Sequence, residues 1–280
     1  MRQLRRMTPT TVELVNGLST RVLDTGGPGP AVVLIHGLAN SIEIWDRVLP
    51  ALAVRHRVVA FDIPGFGQAS RPADAAYDEA FFSAQLEAVL DTLRIERAHL
   101  VGSSLGAGMI VRFSGRGLAR IDRAVLAAPG GFGRRTHPLM RFVGLPLIGG
   151  FLGRPTPPNN RLTLRLAMAD QRQVTPELME LTNRYARLPG SDRSYVRTLQ
   201  SGVGLLGIKG RDSFEALARR FDRPSLVLWG RQDRVFPVAH SERAMALLPQ
   251  AERVLIDDCG HYPHWEQPEV FTAEVLRFLA

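Results

Sequence analysis

The stretch from Ala98 to Gly108, Ala-His-Leu-Val-Gly-Ser-Ser-Leu-Gly-Ala-Gly, constrains this chain more than any other. It opens as a short apolar run of the kind that forms a buried strand. It continues as Gly102-x-Ser104-x-Gly106. Ala107, Met109, Ile110, Val111 and Phe113 then supply an apolar helix face. Strand, sharp turn and helix in that order lift one serine hydroxyl to the tip of a strained turn. The free N–H groups of the helix start face the same point and suit an anion. Gly102, Gly106 and Gly108 are spaced wrongly for a dinucleotide fingerprint.

Around this turn the chain alternates strand and helix patterns. Thr11–Val15 and Leu18–Leu23 flank Asn16-Gly17 and predict a hairpin. Ala31–Ile35, Arg57–Phe61, Arg123–Ala128, Pro224–Trp229 and Glu252–Ile256 predict further strands. Helical spacing covers Trp45–Ala53, Phe81–Leu93, Val238–Leu248 and the segment that begins at Pro268. The alternation predicts an α/β fold, with a mostly parallel sheet and helices on both faces. From about Phe132 to Phe221 no strand pattern occurs, only helical patches broken by Pro and Gly. A connection that long predicts a helical cap inserted at the sheet edge. The expected organisation is a core of residues 1–131 and 222–280 and a cap of residues 132–221.

Loops after parallel strands gather at one edge of such a sheet. Four of them carry polar residues: His36-Gly37-Leu38-Ala39, Ser104, Gly230-Arg231-Gln232-Asp233, and Asp257-Asp258-Cys259-Gly260-His261. A serine hydroxyl needs an imidazole to take its proton, and the imidazole needs a carboxylate to fix its tautomer. Ser104, His261 and Asp233 are the expected catalytic residues. Asp257 and Asp258 lie too near His261 in sequence to serve it. Asp62 is expected to brace a loop, His36 to shape its turn, and His264 to be structural. The oxyanion needs backbone donors, expected from the N–H groups of Leu38 and Leu105.

Composition narrows the function. The chain has 280 residues, 45% hydrophobic and 22% charged, which is ordinary for a soluble globular protein. The net charge of +8 rests almost wholly on arginine, scattered without a long run, which predicts a solvated basic surface and no nucleic-acid partner. Cys259 is the only cysteine, so no intrachain disulfide and no cysteine-based metal site is expected. No apolar signal core follows the charged start, and no run spans a bilayer, so a cytoplasmic protein is expected. No metal or organic cofactor is required by the expected chemistry.

The motifs together resemble those of the α/β-hydrolase superfamily over nearly the whole chain. They are His36-Gly37 with Trp45, Asp62-x-Pro64-Gly65-x-Gly67-x-Ser70, Gly102-x-Ser104-x-Gly106, Trp229-Gly230-x-x-Asp233-x-x-x-Pro237, and Gly260-His261-x-Pro263-x-x-Glu266-x-Pro268. Ser104 separates the chain from the epoxide hydrolases and haloalkane dehalogenases, which use aspartate. The resemblance implies a serine hydrolase of one of two branches. The first reading is a carboxylesterase or lipase-like enzyme, cleaving small-molecule esters with an apolar acyl or alcohol part. The alternative is a hydrolase that cleaves a carbon–carbon bond in meta-cleavage products of aromatic degradation, of the 2-hydroxy-6-oxo-dienoate type. Ala128-Pro129-Gly130-Gly131-Phe132-Gly133 and Cys259-Gly260-His261 with Trp265-Glu266 resemble the second branch. Its Gly/Pro-rich loop is replaced by Leu38-Ala39-Asn40-Ser41, its asparagine before the nucleophile by Ser103, and its tryptophan after the histidine by Tyr262. Arg184 and Arg187 are the candidates for its carboxylate-holding cap arginine. The apolar stretch Leu139–Leu152 is expected to line the substrate pocket through Phe142 and Leu145, with Tyr262, and to allow transient contact with lipid surfaces.

Overall fold

The computed structural model describes residues 8–27, 29–145, 149 and 154–280. The first hairpin forms where Asn16-Gly17 permits it. Strands β1 (Thr10–Glu13) and β2 (Ser19–Asp24) pair antiparallel, and the Leu14 N–H donates to the Leu18 carbonyl at 2.7 Å. Gly17 supplies the left-handed residue of the turn at φ +78°. The apolar runs become β3 (Ala31–Ile35), β4 (Arg57–Phe61), β5 (Ala98–Ser103) and β6 (Ile121–Ala127). A hairpin of two-residue strands follows, β7 (Val203–Gly204) and β8 (Gly207–Ile208), where no strand was expected. Its strands are too short to leave an alternating pattern. The sheet resumes with β9 (Ser225–Gly230) and β10 (Ala251–Ile256).

The eight-stranded sheet runs β1-β2-β4-β3-β5-β6-β9-β10 and is parallel from β4 onward. Alternation along each strand divides the core. Val33, Ile35, Val59, Phe61 and Leu100 face one side with α2 (Glu79–Thr92) and α3 (Leu105–Gly117). Val32, Leu34, Val58, Ala60 and Val101 face the other, against Trp45 and the last helix, Pro268–Leu279. Both faces are covered, which is why these strands read as unbroken apolar runs. The helix expected over Trp45–Ala53 is instead a 3-10 turn at Ile42–Trp45 and a single α turn, α1 (Leu49–Leu52).

Between β6 and β9 the chain forms α4 (Pro138–Val143), α5 (Pro157–Ala167), α6 (Pro176–Ala186), α7 (Ser191–Gly202) and α8 (Arg211–Arg219). These helices lie over the post-strand loops. The Ser194 hydroxyl donates to the Gly65 carbonyl at 2.7 Å, and the Tyr185 hydroxyl donates to Glu43 at 2.8 Å. The Ala167 carbonyl accepts from the His261 N–H at 2.6 Å. After β9 come α9 (Ala239–Leu247), the turn α10 (Pro263–Glu266) and α11 (Pro268–Leu279). No helix among the described residues is long and apolar enough to cross a membrane.

Candidate active site

Ser104 sits between β5 and α3 with φ +53° and ψ −111°, a left-handed region that a serine enters only under constraint. The constraint is local. Its N–H donates to the Ala127 carbonyl at 2.8 Å, and its carbonyl accepts from the Gly108 N–H at 3.0 Å. The two flanking glycines are required by close approach. A Cβ on Gly106 would stand 2.1 Å from the Ile35 carbonyl oxygen, and one on Gly102 would stand 2.5 Å from the Ala107 nitrogen. The helix can therefore pack against the end of β3 only with those positions bare.

The loops after β9 and β10 bring two more groups to the serine. His261 Nε2 lies 2.9 Å from Ser104 Oγ, and His261 Nδ1 lies 2.8 Å from Asp233 Oδ2. Asp233 can only accept, so Nδ1 carries the proton toward it and Nε2 is left as the acceptor for the hydroxyl. The other Asp233 oxygen accepts from the Val235 and Phe236 N–H groups at 2.8 and 2.9 Å, which fixes the carboxylate's plane. All three side chains are buried. The structure thus joins Ser104, His261 and Asp233 in one hydrogen-bonded chain from three separate loops. It leaves Asp257 on the surface, paired with Arg231.

Glu266 holds the histidine loop. Its Oε1 accepts from the Gly260 and Tyr262 N–H groups at 3.0 and 3.2 Å, and its Oε2 accepts from the Ala169 N–H at 2.7 Å. His261 is clasped between these bonds and the Ala167 carbonyl. Burial raises the Glu266 carboxyl, and the backbone N–H groups oppose that shift. Glu266 belongs to a motif visible in sequence, but its role depends on Ala169, which only the fold brings near. His264 is fully buried, its ring 4.4 Å from that of Trp45, and burial pushes its imidazole down to about 3, so it packs as a neutral aromatic ring. His36 is likewise buried and pushed down by burial. Its Nε2 accepts from the Ile63 N–H at 2.9 Å, and its Nδ1 meets the Gly37 carbonyl at 2.7 Å. It therefore ties the loop after β3 to that after β4.

A second polar cluster braces those same loops. Arg21 donates to both oxygens of Glu43, at 2.7 and 2.8 Å, and to Asp62 at 2.9 Å. Asp62 also accepts from the Ile42 and Gln68 N–H groups, at 2.9 and 2.8 Å. Burial raises the Glu43 carboxyl, but the Arg21 and Ser41 hydrogen bonds outweigh it and leave the carboxyl below its ordinary value. Through the Tyr185 hydroxyl the cluster reaches α6.

Ser104 stands where two cavities meet. One, of about 210 Å³, is bounded by His261, Tyr262, Asn40, Arg71, Met140 and Tyr195 among others. The other, of about 140 Å³, is walled mainly by apolar groups, including Phe82, Met109, Leu199 and Phe214. Leu38 borders both cavities, and Leu105 borders the second. Neither of their N–H groups donates to a backbone carbonyl among the described residues.

The structure moves part of the expected pocket. Tyr262 lines the larger cavity, but Phe142 and Leu145 line neither. Pro138 starts α4, and the helical period then turns Leu139, Met140 and Val143 to the cavity and leaves Phe142 about half exposed. Residues 146–148 and 150–152 of the same apolar stretch lie outside the described residues. Arg184 and Arg187 also line neither cavity. Arg71 does, from the loop after β4. Its guanidinium donates to the Ala69 carbonyl at 3.0 Å and to the Gly67 carbonyl, while its Nε is buried without a partner among the described residues. Burial lowers its pKa, against the pull of Asp62. Arg154 lines the same cavity at an exposed position.

Residues 30–268 match the alpha/beta hydrolase fold family. The chain is an α/β-hydrolase. Among curated relatives, a 2-hydroxy-6-oxononadienedioate/2-hydroxy-6-oxononatrienedioate hydrolase of Paraburkholderia phymatum is 33% identical, over 91% of this chain and 89% of that protein. A 2-hydroxymuconate semialdehyde hydrolase of Pseudomonas sp. strain CF600 is 31% identical, over 94% of this chain and 91% of that protein. Among solved structures, a meta-cleavage product hydrolase from Pseudomonas fluorescens IP01 superposes with a TM-score of 0.82 at 28% identity, covering 98% of this chain and 97% of that one. These findings overturn the first reading, a carboxylic-ester hydrolase, and favour its alternative. The Ser-His-Asp motifs serve both chemistries, so they could not separate them. The segments around Gly130-Gly131 and Cys259-Gly260-His261 were the better guide.

Proposed function

We propose that this α/β-hydrolase cleaves a carbon–carbon bond in a meta-cleavage product of the 2-hydroxy-6-oxo-dienoate type. Ser104 is the nucleophile, His261 moves the protons, and Asp233 orients the imidazole. Residues 132–221 act as the cap over this site. The observation that carries the reading is the position of Ser104 at the meeting point of two unlike cavities. A substrate cut in its middle must put one part on each side of the nucleophile. The cavity with Arg71 suits the dienoate end, whose carboxylate would find an arginine that is bonded to backbone carbonyls and makes no salt bridge among the described residues. The second cavity suits the apolar group on the C6 carbonyl. Its 140 Å³ is close to the roughly 150 Å³ of an apolar cavity known to hold benzene.

The chemistry follows from how poor a leaving group carbon is. The C5–C6 bond breaks only if its electrons flow into a conjugated carbonyl. The dienoate provides one when its 2-hydroxyl gives up its proton and C5 takes one, forming the 2-oxo tautomer. Ser104 then adds to C6 as its proton passes to His261 Nε2, and the C6 oxyanion lies toward the Leu38 and Leu105 N–H groups. Collapse of the tetrahedral intermediate breaks C5–C6 and leaves an acyl group on Ser104. The 2-hydroxydienoate departs and its electrons return to the C2 oxygen, which takes a proton. Water, deprotonated by His261, releases the acyl group as a carboxylic acid.

Two substrates that differ only at C6, methyl against phenyl, test the assignment of the cavities. The wild type turns over both. Met109→Phe, which fills the smaller cavity, lowers kcat/KM for the phenyl substrate more than for the methyl one. Failure of the wild type to cleave either substrate overturns the proposal.

A further inference from the structure

Arginine is scattered along this chain, but its net positive charge is not. Residues 132–221 contain 15 Lys and Arg against 6 Asp and Glu, a formal +9. The rest of the chain contains 20 against 21, a formal −1. No acidic residue occurs between Asp122 and Asp170, or between Asp192 and Asp212. The whole net charge of +8 therefore comes from the segment over the site.

Within this cationic segment lies the β7–β8 hairpin. Its tip is Leu205-Leu206, and these side chains are 60% and 82% exposed. Two consecutive leucines turned out at one tight tip are unlike a lone exposed apolar residue, which needs no explanation. The fold holds them there. Gly207 closes the turn at φ +106°, and the Ile208 N–H donates to the Arg134 carbonyl at 3.3 Å. That bond sets the exposed Arg134 against the hairpin, with the exposed Arg135 next to it in the chain and the exposed Lys209 at the hairpin's other end. The hairpin's base, through Val203 and Ile208, forms a wall of the apolar cavity that reaches Ser104.

We propose that this hairpin docks the protein on an anionic lipid surface, with Leu205 and Leu206 inserted at the headgroup boundary and Arg134, Arg135 and Lys209 against the phosphates. An apolar tip ringed by cations matches such a surface in both hydrophobicity and charge. An apolar substrate dissolved in the lipid would then leave it beside the cavity that receives its apolar end.

Sedimentation with vesicles tests the proposal. Vesicles of pure phosphatidylcholine are compared with vesicles of equal parts phosphatidylcholine and phosphatidylglycerol. The wild type binds the anionic vesicles and not the neutral ones. The double variant Leu205→Ser/Leu206→Ser binds them about tenfold more weakly or less, as loss of two apolar anchors requires. Arg134→Glu/Arg135→Glu also loses binding, and what remains falls less steeply with added salt than the binding of the wild type. Both variants keep the wild-type melting temperature and the same turnover of a soluble substrate, since none of the four residues lines either cavity at Ser104. Absence of binding to anionic vesicles overturns the proposal. So does binding that survives the leucine substitutions, which is adsorption by charge alone. A dimer in light scattering that the leucine variant dissolves also overturns it, because a second copy of this chain then covers the tip.

Discussion

Replacing Glu266 should damage the site without touching a reacting atom. Glu266→Ala removes the acceptor for two buried N–H groups, those of Gly260 and Tyr262, and for the half-buried N–H of Ala169. A buried donor left unpaired costs about 1–3 kcal/mol, so the two buried ones alone cost at least about 2 kcal/mol. For a chain of this size each kcal/mol lowers Tm by roughly 2–4 °C, which gives a fall of about 4 °C or more. The catalytic consequence runs through His261, which keeps only the Ala167 tether on that side. A displacement near 1 Å costs on the order of 100-fold in rate. Glu266→Gln separates the roles of shape and acceptor. Its amide oxygen can still take the Gly260 and Tyr262 bonds, while its NH₂ group meets the Ala169 N–H donor to donor. It should lose about 1–2 kcal/mol and keep most of kcat. The assay is thermal unfolding beside steady-state kinetics for wild type, Gln and Ala. An Ala variant with unchanged Tm and unchanged kcat refutes the reasoning.

The remaining expectations concern the frame around the site. Arg21→Met leaves Glu43 and Asp62 without their shared cation and should destabilise by about 3–5 kcal/mol, measured by urea unfolding. Gly106→Ala places a Cβ 2.1 Å from a backbone oxygen that cannot move aside; soluble expression with kcat lowered at least about tenfold is the expected outcome, and near-wild-type kcat would contradict it. His264 titrates near 3 when folded and near 6.5 when unfolded. The unfolded chain binds the extra proton between those values, so its contribution to stability is full above about pH 6.5 and falls by roughly 1.4 kcal/mol per unit as pH drops toward 3. His264→Phe should flatten the stability profile over that window relative to wild type. Arg71→Gln should raise KM for a dienoate about tenfold or more with a smaller change in kcat, as expected for a carboxylate anchor.

The sequence carried what local rules decide. The bounds of β3 and β4 were readable because their apolar runs are short and end in turn residues. Ser104, Asp233 and His261 were readable because each follows a strand in a motif, and parallel strands deliver such loops to one edge. What failed was phase and reach. Phe142 and Leu145 looked like pocket residues because the stretch is apolar, yet the helix that starts at Pro138 turns Leu139, Met140 and Val143 inward. Arg184 and Arg187 looked like anchors because they lie in the inserted segment, whereas Arg71 lines the cavity from a loop of the sheet. No local pattern reveals that Ala169 will pack on Glu266, or that two cavities meet at Ser104. The charge asymmetry was legible by counting, but it acquired a meaning only when β7 and β8 placed Leu205 and Leu206 at a tip among those cations.

The most direct test of the account is product analysis on a purified 2-hydroxy-6-oxo-dienoate. Loss of its conjugated absorbance is followed with wild type and with Ser104→Ala, and the products are identified by mass spectrometry. The account predicts two acids from the wild type, a 2-hydroxydienoate and the carboxylic acid derived from C6, and an intact fold with no cleavage for Ser104→Ala. A dienoate left whole by the wild type, or cleaved equally well by both proteins, would contradict it.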